Sequence, residues 1–148
     1  MVFGGFLKRL QSIRRRRIAM VRQLAVFFDN LDHDAARPML SPDLVVVDGL
    51  GRRIEGRETV IKADRDFRIA AGRPRMQISE ILTTADDVLV TGTLEGNSAE
   101  VTGPSFWRIS FSGDLVSRIE ITRNPDQMTV ARYYSLQKNE PGIGALSQ

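Results

Sequence analysis

Asp48 is the residue whose type and position best suit chemistry in this chain. It ends the apolar run Leu44–Val47, and a turn marked by Gly49 and Gly51 follows it. A carboxylate at the end of a buried strand is poorly solvated, which raises its pKa and makes it a better proton acceptor near neutral pH. Asp48 is therefore the candidate general base. The structural alternative is that Asp48 caps the glycine turn.

Glu120 and Arg118 form a second candidate group, in a run of alternating polar and apolar residues. A period of two places Arg118 and Glu120 on one face of a strand, with Ile119 and Ile121 on the other. If the polar face lines an interior, Glu120 is a catalytic candidate and Arg118 orients a substrate or stabilises its charge. If that face meets solvent, both are ordinary surface charges.

Three further residues are candidates for contact with a substrate, namely Glu95, Trp107 and Phe28. Glu95 stands beside Gly96 at the end of a predicted strand, where a surface acid is equally expected. Trp107 alternates within its strand and belongs either to the core or to a pocket wall, where its ring offers apolar molecules a flat surface. His33 lies in an acidic turn and is predicted to cap or to be solvated; inside a pocket it would be an acid or a base.

The composition excludes several kinds of site. The chain has 148 residues, which fits one domain, and no cysteine, which excludes disulfides, thiolate metal sites and a cysteine nucleophile. Its single histidine excludes a multi-histidine metal site, so neither a metal nor another cofactor is predicted. No apolar run approaches the ~20 residues that span a membrane, and a cytoplasmic location is expected.

The basic residues are concentrated at the start of the sequence. The net charge is +3, yet residues 1–23 hold seven of the 21 Lys and Arg and no acid, which leaves 14 bases against 18 acids elsewhere. Specific binding of nucleic acid is therefore not predicted. The run Arg14–Arg17, with Phe6 and Leu10 nearby, suits a weak contact with an anionic membrane. The alternative is a flexible extension that precedes a start at Met20.

Hydrophobic periodicity predicts helices first and strands afterwards. A helix is predicted over Phe6–Leu31, and the run Arg14–Arg17 divides it into two pieces. A short helix capped by Asp34 ends near Leu40. The remaining predicted elements are a strand at Leu44–Asp48, a hairpin arm at Arg52–Glu55, a helix at Thr59–Ala71, strands at Met76–Thr83, Val88–Glu95, Ser105–Phe111 (extended by Glu100–Thr102) and Leu115–Arg123, and a helical turn at Met128–Tyr134. This order predicts an α+β fold in which helices gather on one face of a strongly curved antiparallel sheet and close a cone.

In this order of elements the chain resembles the nuclear transport factor 2-like, or SnoaL-like, superfamily. The resemblance rests on the helix Val21–Leu31 and on the passages LDHDAARPMLSPDLVVVDG, GRRIEGRETV and SGDLVSRIEIT, within about residues 20–125. It implies a cystatin-like α+β roll, with a cone-shaped sheet around N-terminal helices, and a homodimer formed through the outer face of the sheet. The superfamily includes ketosteroid isomerases, polyketide cyclases, limonene epoxide hydrolases, scytalone dehydratases and modules with no chemistry.

The resemblance also implies roles for single positions. Asp48 matches the acid that moves a proton in ketosteroid isomerases, Glu120 a catalytic aspartate of epoxide hydrolases and some cyclases, and Glu95 a second aspartate of those hydrolases. Thr93 stands where the hydrolases have an arginine, which argues against epoxide hydrolysis. Trp107 stands near the position of the second isomerase acid, and the first helix has no tyrosine, so no oxyanion donor is identified.

Three regions and more than one kind of function are predicted. The regions are a basic N-terminal arm (residues 1–19), a SnoaL-like domain (residues 20–125) and a C-terminal tail (residues 126–148). The domain is expected to hold an internal pocket for a small, mostly apolar molecule and to transfer protons with carboxylates, as a cofactor-independent isomerase or cyclase. The residues leave open a non-catalytic ligand-binding or dimerisation module, and a scaffold that meets an anionic membrane through the N-terminal arm.

Overall fold

The computed structural model describes residues 2–139, apart from the side chains of Val2 and Phe3, and places them in helices around one sheet. The helices are α1 (Val2–Asp29), α2 (His33–Ala36), α3 (Arg57–Ala70) and α4 (Val130–Asn139), with a short 3₁₀ helix at Arg37–Met39. The strands are β1 (Leu40–Asp48), β2 (Arg53–Glu55), β3 (Arg75–Thr83), β4 (Asp87–Glu95), β5 (Gly103–Ser112) and β6 (Leu115–Thr122). Within residues 2–139, no helix combines the length and apolar character needed to cross a bilayer.

The sheet has the strand order β2-β1-β6-β5-β4-β3. Strands β3 to β6 pair consecutively and antiparallel, as the turn signals between them predicted. Strand β1 pairs in parallel with β6 and antiparallel with β2, so that Asp48 lies opposite Ile121 and Val47 opposite Glu120. This parallel pairing joins strands that are far apart in the sequence, and it brings the end of β1 beside the end of β6.

Irregular pairing bends the sheet toward the helices. The register shifts between Ile78 and Glu80 in β3 and between Ser110 and Phe111 in β5. An unpaired residue in one strand bends that strand and increases its twist. The predicted curved sheet with helices on its concave side is therefore confirmed.

Strand β4 shows why the concave face is the buried one. Val88, Val90 and Leu94 alternate toward that face and are buried. Gly92 occupies the same face, and a Cβ added there would lie 2.5 Å from the carbonyl oxygen of Gln77 on β3. Glycine is required at this position because any side chain would push the two strands apart.

Helices α1 and α3 cover the concave face. The second half of α1 buries Leu24 and Phe28, and α3 buries Val60 and Phe67, at the three- and four-residue spacing of an amphipathic helix. Gly56 precedes α3 with a φ of +93°, a conformation that residues with a Cβ rarely adopt. The glycine therefore sets the direction in which α3 leaves β2.

Helix α1 is one continuous helix, so the prediction of two pieces is wrong. Arginine is a good helix former, and the basic run continues the helix instead of interrupting it. Arg17 also anchors α1 to two hairpin turns, because its guanidinium donates to the carbonyl oxygens of Asp86 and Gly113, each at 3.4 Å. The same guanidinium lies 4.7 Å from the centre of the Phe111 ring. The N-terminal arm and the domain thus share α1.

The segment between α1 and β1 also differs from the prediction. Asp32, and not Asp34, caps α2, since its Oδ1 accepts a hydrogen bond from the Ala35 N–H at 3.4 Å. The 3₁₀ helix follows at once, and β1 begins at Leu40, four residues before the predicted strand start. This short connection turns His33 toward the core.

Two predictions near the end of the chain are corrected in their bounds. Strand β5 begins at Gly103, because Glu100 and Val101 belong to a turn. The predicted helical turn is the ten-residue helix α4. Of the predicted C-terminal tail, residues 140–148 lie outside the described residues.

Candidate functional site

The concave face of the sheet and helices α1, α3 and α4 enclose a space of about 40 Å³, named here the inner cavity. Its wall consists of Leu24, Phe28, Val46, Val60, Asp64, Arg68, Trp107, Ile109, Ile119, Ile121 and Val130. Phe28 and Trp107, which were predicted to contact a substrate, are both part of this wall. The charged members of the wall are Asp64 and Arg68, both from α3.

A second space of about 40 Å³, the side cavity, shares Asp64, Arg68 and Trp107 with the inner cavity. The rest of its wall is more polar, because Arg123 and Thr129 belong to it. The two cavities therefore meet at the same pair of charged residues.

Asp64 has two hydrogen-bond partners on one carboxylate oxygen. Its Oδ2 accepts from Arg68 Nε at 3.0 Å, since residues four apart share a face of α3, and lies 2.7 Å from His33 Nε2. No hydrogen bond from a described residue reaches Oδ1. An ionised carboxylate only accepts hydrogen bonds, so Oδ1 is free to accept one from a group outside the described residues.

Arg68 connects Asp64 to a second buried acid, Asp29, at the end of α1. The Arg68 Nη1 donates to Asp29 Oδ1 at 2.9 Å. The Met76 N–H of β3 donates to both carboxylate oxygens of Asp29, each at 3.2 Å. His33, Asp64, Arg68 and Asp29 are named here the buried ionic cluster. It joins α1, α2, α3 and β3 at one point.

Burial and charge act in opposite directions on this cluster. Burial raises the pKa of Asp29 above its ordinary value, and the positive charge of Arg68 offsets that effect only in part. Burial alone would lower the pKa of Arg68, but the negative charges of Asp64 and Asp29 outweigh it and raise that pKa. Arg68 therefore stays protonated between two acids, in a position that is only 5% exposed.

His33 is buried, so the prediction that it caps or is solvated is wrong. The residue is 4% exposed, and its ring centre lies 5.6 Å from that of Phe28. The sequence did contain a signal, because Asp64 falls on the apolar stripe of α3, four residues after Val60 and three before Phe67. A charged residue on such a stripe requires a buried partner. Asp64 was not among the site residues predicted from the sequence, where α3 reads as an ordinary core helix.

Asp48 is also buried, but its carboxylate is fully engaged in structure. Its Oδ1 accepts from the N–H groups of Leu50 and Arg52 at 3.0 and 3.1 Å. Its Oδ2 accepts from Arg52 Nε at 2.6 Å and from Thr129 Oγ1 at 2.9 Å. Burial would raise the pKa of Asp48, but these hydrogen bonds outweigh it and lower that pKa, which corrects the predicted rise. Asp48 lines a surface cleft of about 130 Å³ between Gly49 and Thr129. It lines neither the inner cavity nor the side cavity.

The other predicted acids lie apart from the cavities. Ile119 and Ile121 face the inner cavity, so Arg118 and Glu120 lie on the convex face of the sheet. Glu120 is paired there across the strands with Arg108 of β5. Glu95 ends β4 and is exposed. The four predicted charged site residues (Asp48, Glu95, Arg118 and Glu120) therefore do not converge on one space.

Arg123 borders the side cavity without a carboxylate partner among residues 2–139. Its guanidinium donates to backbone carbonyl oxygens, at 2.6 Å for Val101 and 2.7 Å for Met128. Burial lowers its pKa. These bonds hold the segment that leads into α4 against the end of β6, and so fix the wall of the side cavity.

The arrangement is an apolar enclosure with one polar point. Asp64 lines the space and is held in place by two basic side chains, His33 and Arg68. Such a point can accept a hydrogen bond or a proton from an enclosed molecule. In the described part of the chain, no group of three or more His, Asp or Glu side chains is arranged to hold a metal ion.

Comparisons with known proteins give structural matches only. No model of a known protein family matches the chain, and no curated protein sequence is significantly similar to it. Many solved structures match, each with high probability. A proposed SnoaL-like polyketide cyclase from Jannaschia sp. has 15% identity, covers 72% of this chain and 84% of its own, and superposes with a TM-score of 0.65.

Two further structures have a comparable overlap. A proposed polyketide cyclase from Sinorhizobium meliloti has 21% identity, covers 70% of this chain and 93% of its own, and has a TM-score of 0.64. A protein of ketosteroid isomerase-like fold from Catenulispora acidiphila, in complex with trimethylamine, has 14% identity and a TM-score of 0.63. The match covers 72% of this chain and 85% of that protein. At such identities the likeness shows the fold alone. The chain has the fold of the SnoaL-like and ketosteroid isomerase-like proteins, as the sequence predicted.

Proposed function

We propose that this SnoaL-like fold binds a small, mostly apolar molecule inside its cone and exchanges a proton with it through Asp64, supported by His33. One observation carries the proposal: Asp64 is a carboxylate on the wall of a mostly apolar cavity, paired there with Arg68 and hydrogen-bonded to the only histidine of the chain. Carboxylates and imidazoles are the side chains that most often act as general bases and acids. The proposal moves the chemistry from Asp48 to the buried ionic cluster.

Each member of the cluster has a role in this proposal. The Oδ1 of Asp64 accepts the donor of the bound molecule, while Oδ2 is held by Arg68 and His33. Arg68 cannot turn away, because Asp29 binds its other side. A carboxylate held on one oxygen keeps the other in a fixed direction, and fixed direction is what proton transfer requires. The roles of Asp48 and Glu120 as catalytic acids stay predictions, and the variants described below test the first of them.

The size of the cavities restricts the ligand. Each holds about 40 Å³, whereas sites for drug-sized molecules usually measure about 300–1,000 Å³. The ligand is therefore a molecule of few heavy atoms, or it displaces part of the wall. A surface groove of about 370 Å³ shares Phe67 and Met128 with the side cavity, and these two side chains stand between the groove and the interior. Movement of Met128 with the start of α4 would open a route.

Three probes that share three methyl groups on one central atom test which charge the interior accepts. Trimethylammonium, tert-butanol and pivalate carry a cationic, a neutral and an anionic polar group, and pivalate is also the largest of the three. Asp64 and two aromatic walls favour the cation, because a carboxylate only accepts hydrogen bonds and aromatic faces attract cations. Trp107 is the only tryptophan and lies on the wall, so its fluorescence reports occupancy. The expected order of affinity is trimethylammonium, then tert-butanol, then pivalate.

Asp64→Asn and Asp48→Asn form a matched pair for this titration. Both substitutions remove one buried carboxylate charge and keep the side-chain shape. Asp64→Asn should weaken binding of trimethylammonium by about tenfold or more, which corresponds to loss of one charge-assisted contact of about 1.5 kcal/mol. Asp48→Asn should bind as the unmodified chain does. If only Asp48→Asn loses binding, the site is at Asp48. If none of the three probes changes the fluorescence of Trp107, the interior site is refuted.

Proton transfer is separated from mere binding by isotope exchange. A small ketone such as cyclopentanone, held in D₂O with the protein, loses its α-protons faster if a base in the cavity removes them. NMR measures the rate at which deuterium replaces the α-protons. We expect the unmodified chain and Asp48→Asn to accelerate this exchange, and Asp64→Asn not to accelerate it. Binding of the probes without any catalysed exchange would instead support the alternative, a non-catalytic binding module. The separation of Asp48, Glu95 and Glu120 is what favours that alternative.

We also propose that the chain forms a homodimer through the convex face of the sheet. Phe106 of β5 is 46% exposed on that face, and Thr91 of β4 lies opposite it. Leu82 of β3 is 52% exposed and lies opposite Leu89 of β4. These two exposed apolar side chains on one face of the sheet are what supports a partner on that face.

A further inference from the structure

The N-terminal part of α1 extends away from the domain. Among the described residues, its first ion pair and hydrogen bonds to the hairpin turns are made by Arg16 and Arg17. Phe6 and Leu7 precede them and are 61% and 53% exposed. At about 1.5 Å per residue, residues 4–15 extend roughly 18 Å beyond this anchor.

The apolar residues at the start of α1 continue the stripe by which the helix enters the core; Phe6 is exposed, whereas Leu10 and Ile13 are partly buried. Phe6, Leu10 and Ile13 follow each other at steps of four and three, and the same stripe later buries Leu24 and Phe28. The stripe is thus buried by the sheet over its second half, partly buried at Leu10 and Ile13, and fully exposed at Phe6.

The remainder of this helical surface is strongly basic. Residues 4–15 contain no acid. Lys8 and Arg15 lie opposite the apolar stripe and Arg9 lies on its flank, and all three are exposed. No ion pair connects these three, named here the basic trio, with an acid among the described residues. The combination is a cationic amphipathic helix.

We propose that residues 4–15 of α1 bind an anionic lipid bilayer and lie in its interface. The apolar pair, Phe6 and Leu7, would enter the acyl boundary, and the basic trio would meet the anionic headgroups. The phosphates of a nucleic acid would pair with the basic trio, but the apolar pair would remain in water. A second copy of this chain would use the apolar pair but leave the basic trio largely unpaired. The bilayer alone satisfies both sides of the helix.

The attraction is electrostatic in large part, and its size can be anticipated. Each Lys or Arg close to an anionic leaflet contributes about 1 kcal/mol, so loss of the basic trio should weaken binding about 100-fold. The attraction is screened over about 10 Å at 0.1 M salt and about 3 Å at 1 M salt. Binding should therefore weaken steeply with ionic strength.

The test is co-sedimentation of the full chain with vesicles of phosphatidylcholine alone, or with about one third phosphatidylglycerol. The unmodified chain should bind the mixed vesicles and not the neutral ones. K8Q/R9Q/R15Q should lose about 100-fold in partitioning, and F6S/L7S should lose at least about tenfold. The matched control R65Q/R118Q/K138Q removes three exposed bases outside the N-terminal arm and should bind as the unmodified chain does.

Several results would overturn the proposal. Equal binding to neutral vesicles, or an equal loss in the control variant, would show that the arm is not a specific lipid surface. If the chain binds duplex DNA but no vesicles, and F6S/L7S binds the DNA equally well, the arm would be assigned to nucleic acid. Sedimentation velocity that shows an oligomer dependent on Phe6 and Leu7, again without vesicle binding, would assign the arm to a second copy of the chain.

Discussion

Arg68→Met isolates the energetic role of the buried ionic cluster. The substitution keeps most of the side-chain volume but leaves Asp29 and Asp64 buried without their shared positive partner. Removal of one partner from a buried ion pair costs about 3–5 kcal/mol, because the remaining charge is uncompensated. Domains of this kind have a total stability of about 5–15 kcal/mol, so the variant should remain folded but be clearly weakened. The melting temperature should fall by roughly 10 °C.

The loss should depend on pH in a defined direction. Burial already raises the pKa of Asp29 above its ordinary value of 3.8, and removal of Arg68 takes away the charge that opposes this rise. A raised pKa means that the folded protein keeps a proton that the unfolded chain releases, so stability falls as the pH rises between the unfolded and folded pKa values. The destabilisation should therefore be full at neutral pH and smaller in acid, as measured by urea unfolding followed by circular dichroism.

Arg65→Met is the matched control, because Arg65 lies on the same helix, is exposed and has no ion pair among the described residues. Its effect should stay within about 0.5 kcal/mol at every pH. The second variant D29N/R68M should recover part of the lost stability, since one of the two orphaned charges is gone. A loss below about 1 kcal/mol in Arg68→Met, or a loss that does not change with pH, would refute the account of a desolvated, mutually dependent cluster.

Three further predictions concern other parts of the fold. Asp48→Asn should cost about 1–3 kcal/mol near neutral pH in urea unfolding, and the cost should shrink as the pH falls through the lowered pKa of Asp48, because acid neutralises the native carboxylate there. Gly92→Ala should lower the melting temperature by several degrees, because its Cβ would lie 2.5 Å from the Gln77 carbonyl oxygen; an unchanged melting temperature would contradict this contact. Phe106→Glu should convert a dimer to a monomer in sedimentation velocity while Trp107 still responds to trimethylammonium; a persistent dimer would exclude the convex face.

The local part of the fold could be predicted from the sequence, and the reason is that its signals are short-range. The hairpins between Met76 and Arg123 follow from alternation and from turn residues such as Ser112-Gly113-Asp114. The parallel pairing of β1 with β6 joins residues about 75 positions apart, such as Val46 and Ile119, and no local pattern encodes it. The family resemblance implied the curved roll as a whole, but not this pair of strands.

The site could be predicted only in its apolar half. Phe28 and Trp107 line the inner cavity because periodicity determines which way an apolar residue faces. The predicted polar residues are strand-end acids, and Asp48 shows what the sequence alone does not reveal about such an acid. Four hydrogen bonds, one of them from Thr129 in a distant segment, bind its carboxylate and lower its pKa. Partners that are remote in sequence decide whether a buried acid is reactive or structural.

The energetics of the buried ionic cluster argue that it is retained for more than stability. A buried charged group is costly to desolvate, and well-packed apolar residues of similar size are often as stable or more so. The surrounding core is apolar and closely packed, so apolar side chains at Asp64 and Arg68 would have suited the fold equally well. The cluster instead places Asp64 and Arg68 of α3 on the wall of one cavity and supports them from behind with Asp29 of α1 and with His33. A costly arrangement that places a buried acid on the wall of a cavity supports the proposal of a ligand site at Asp64.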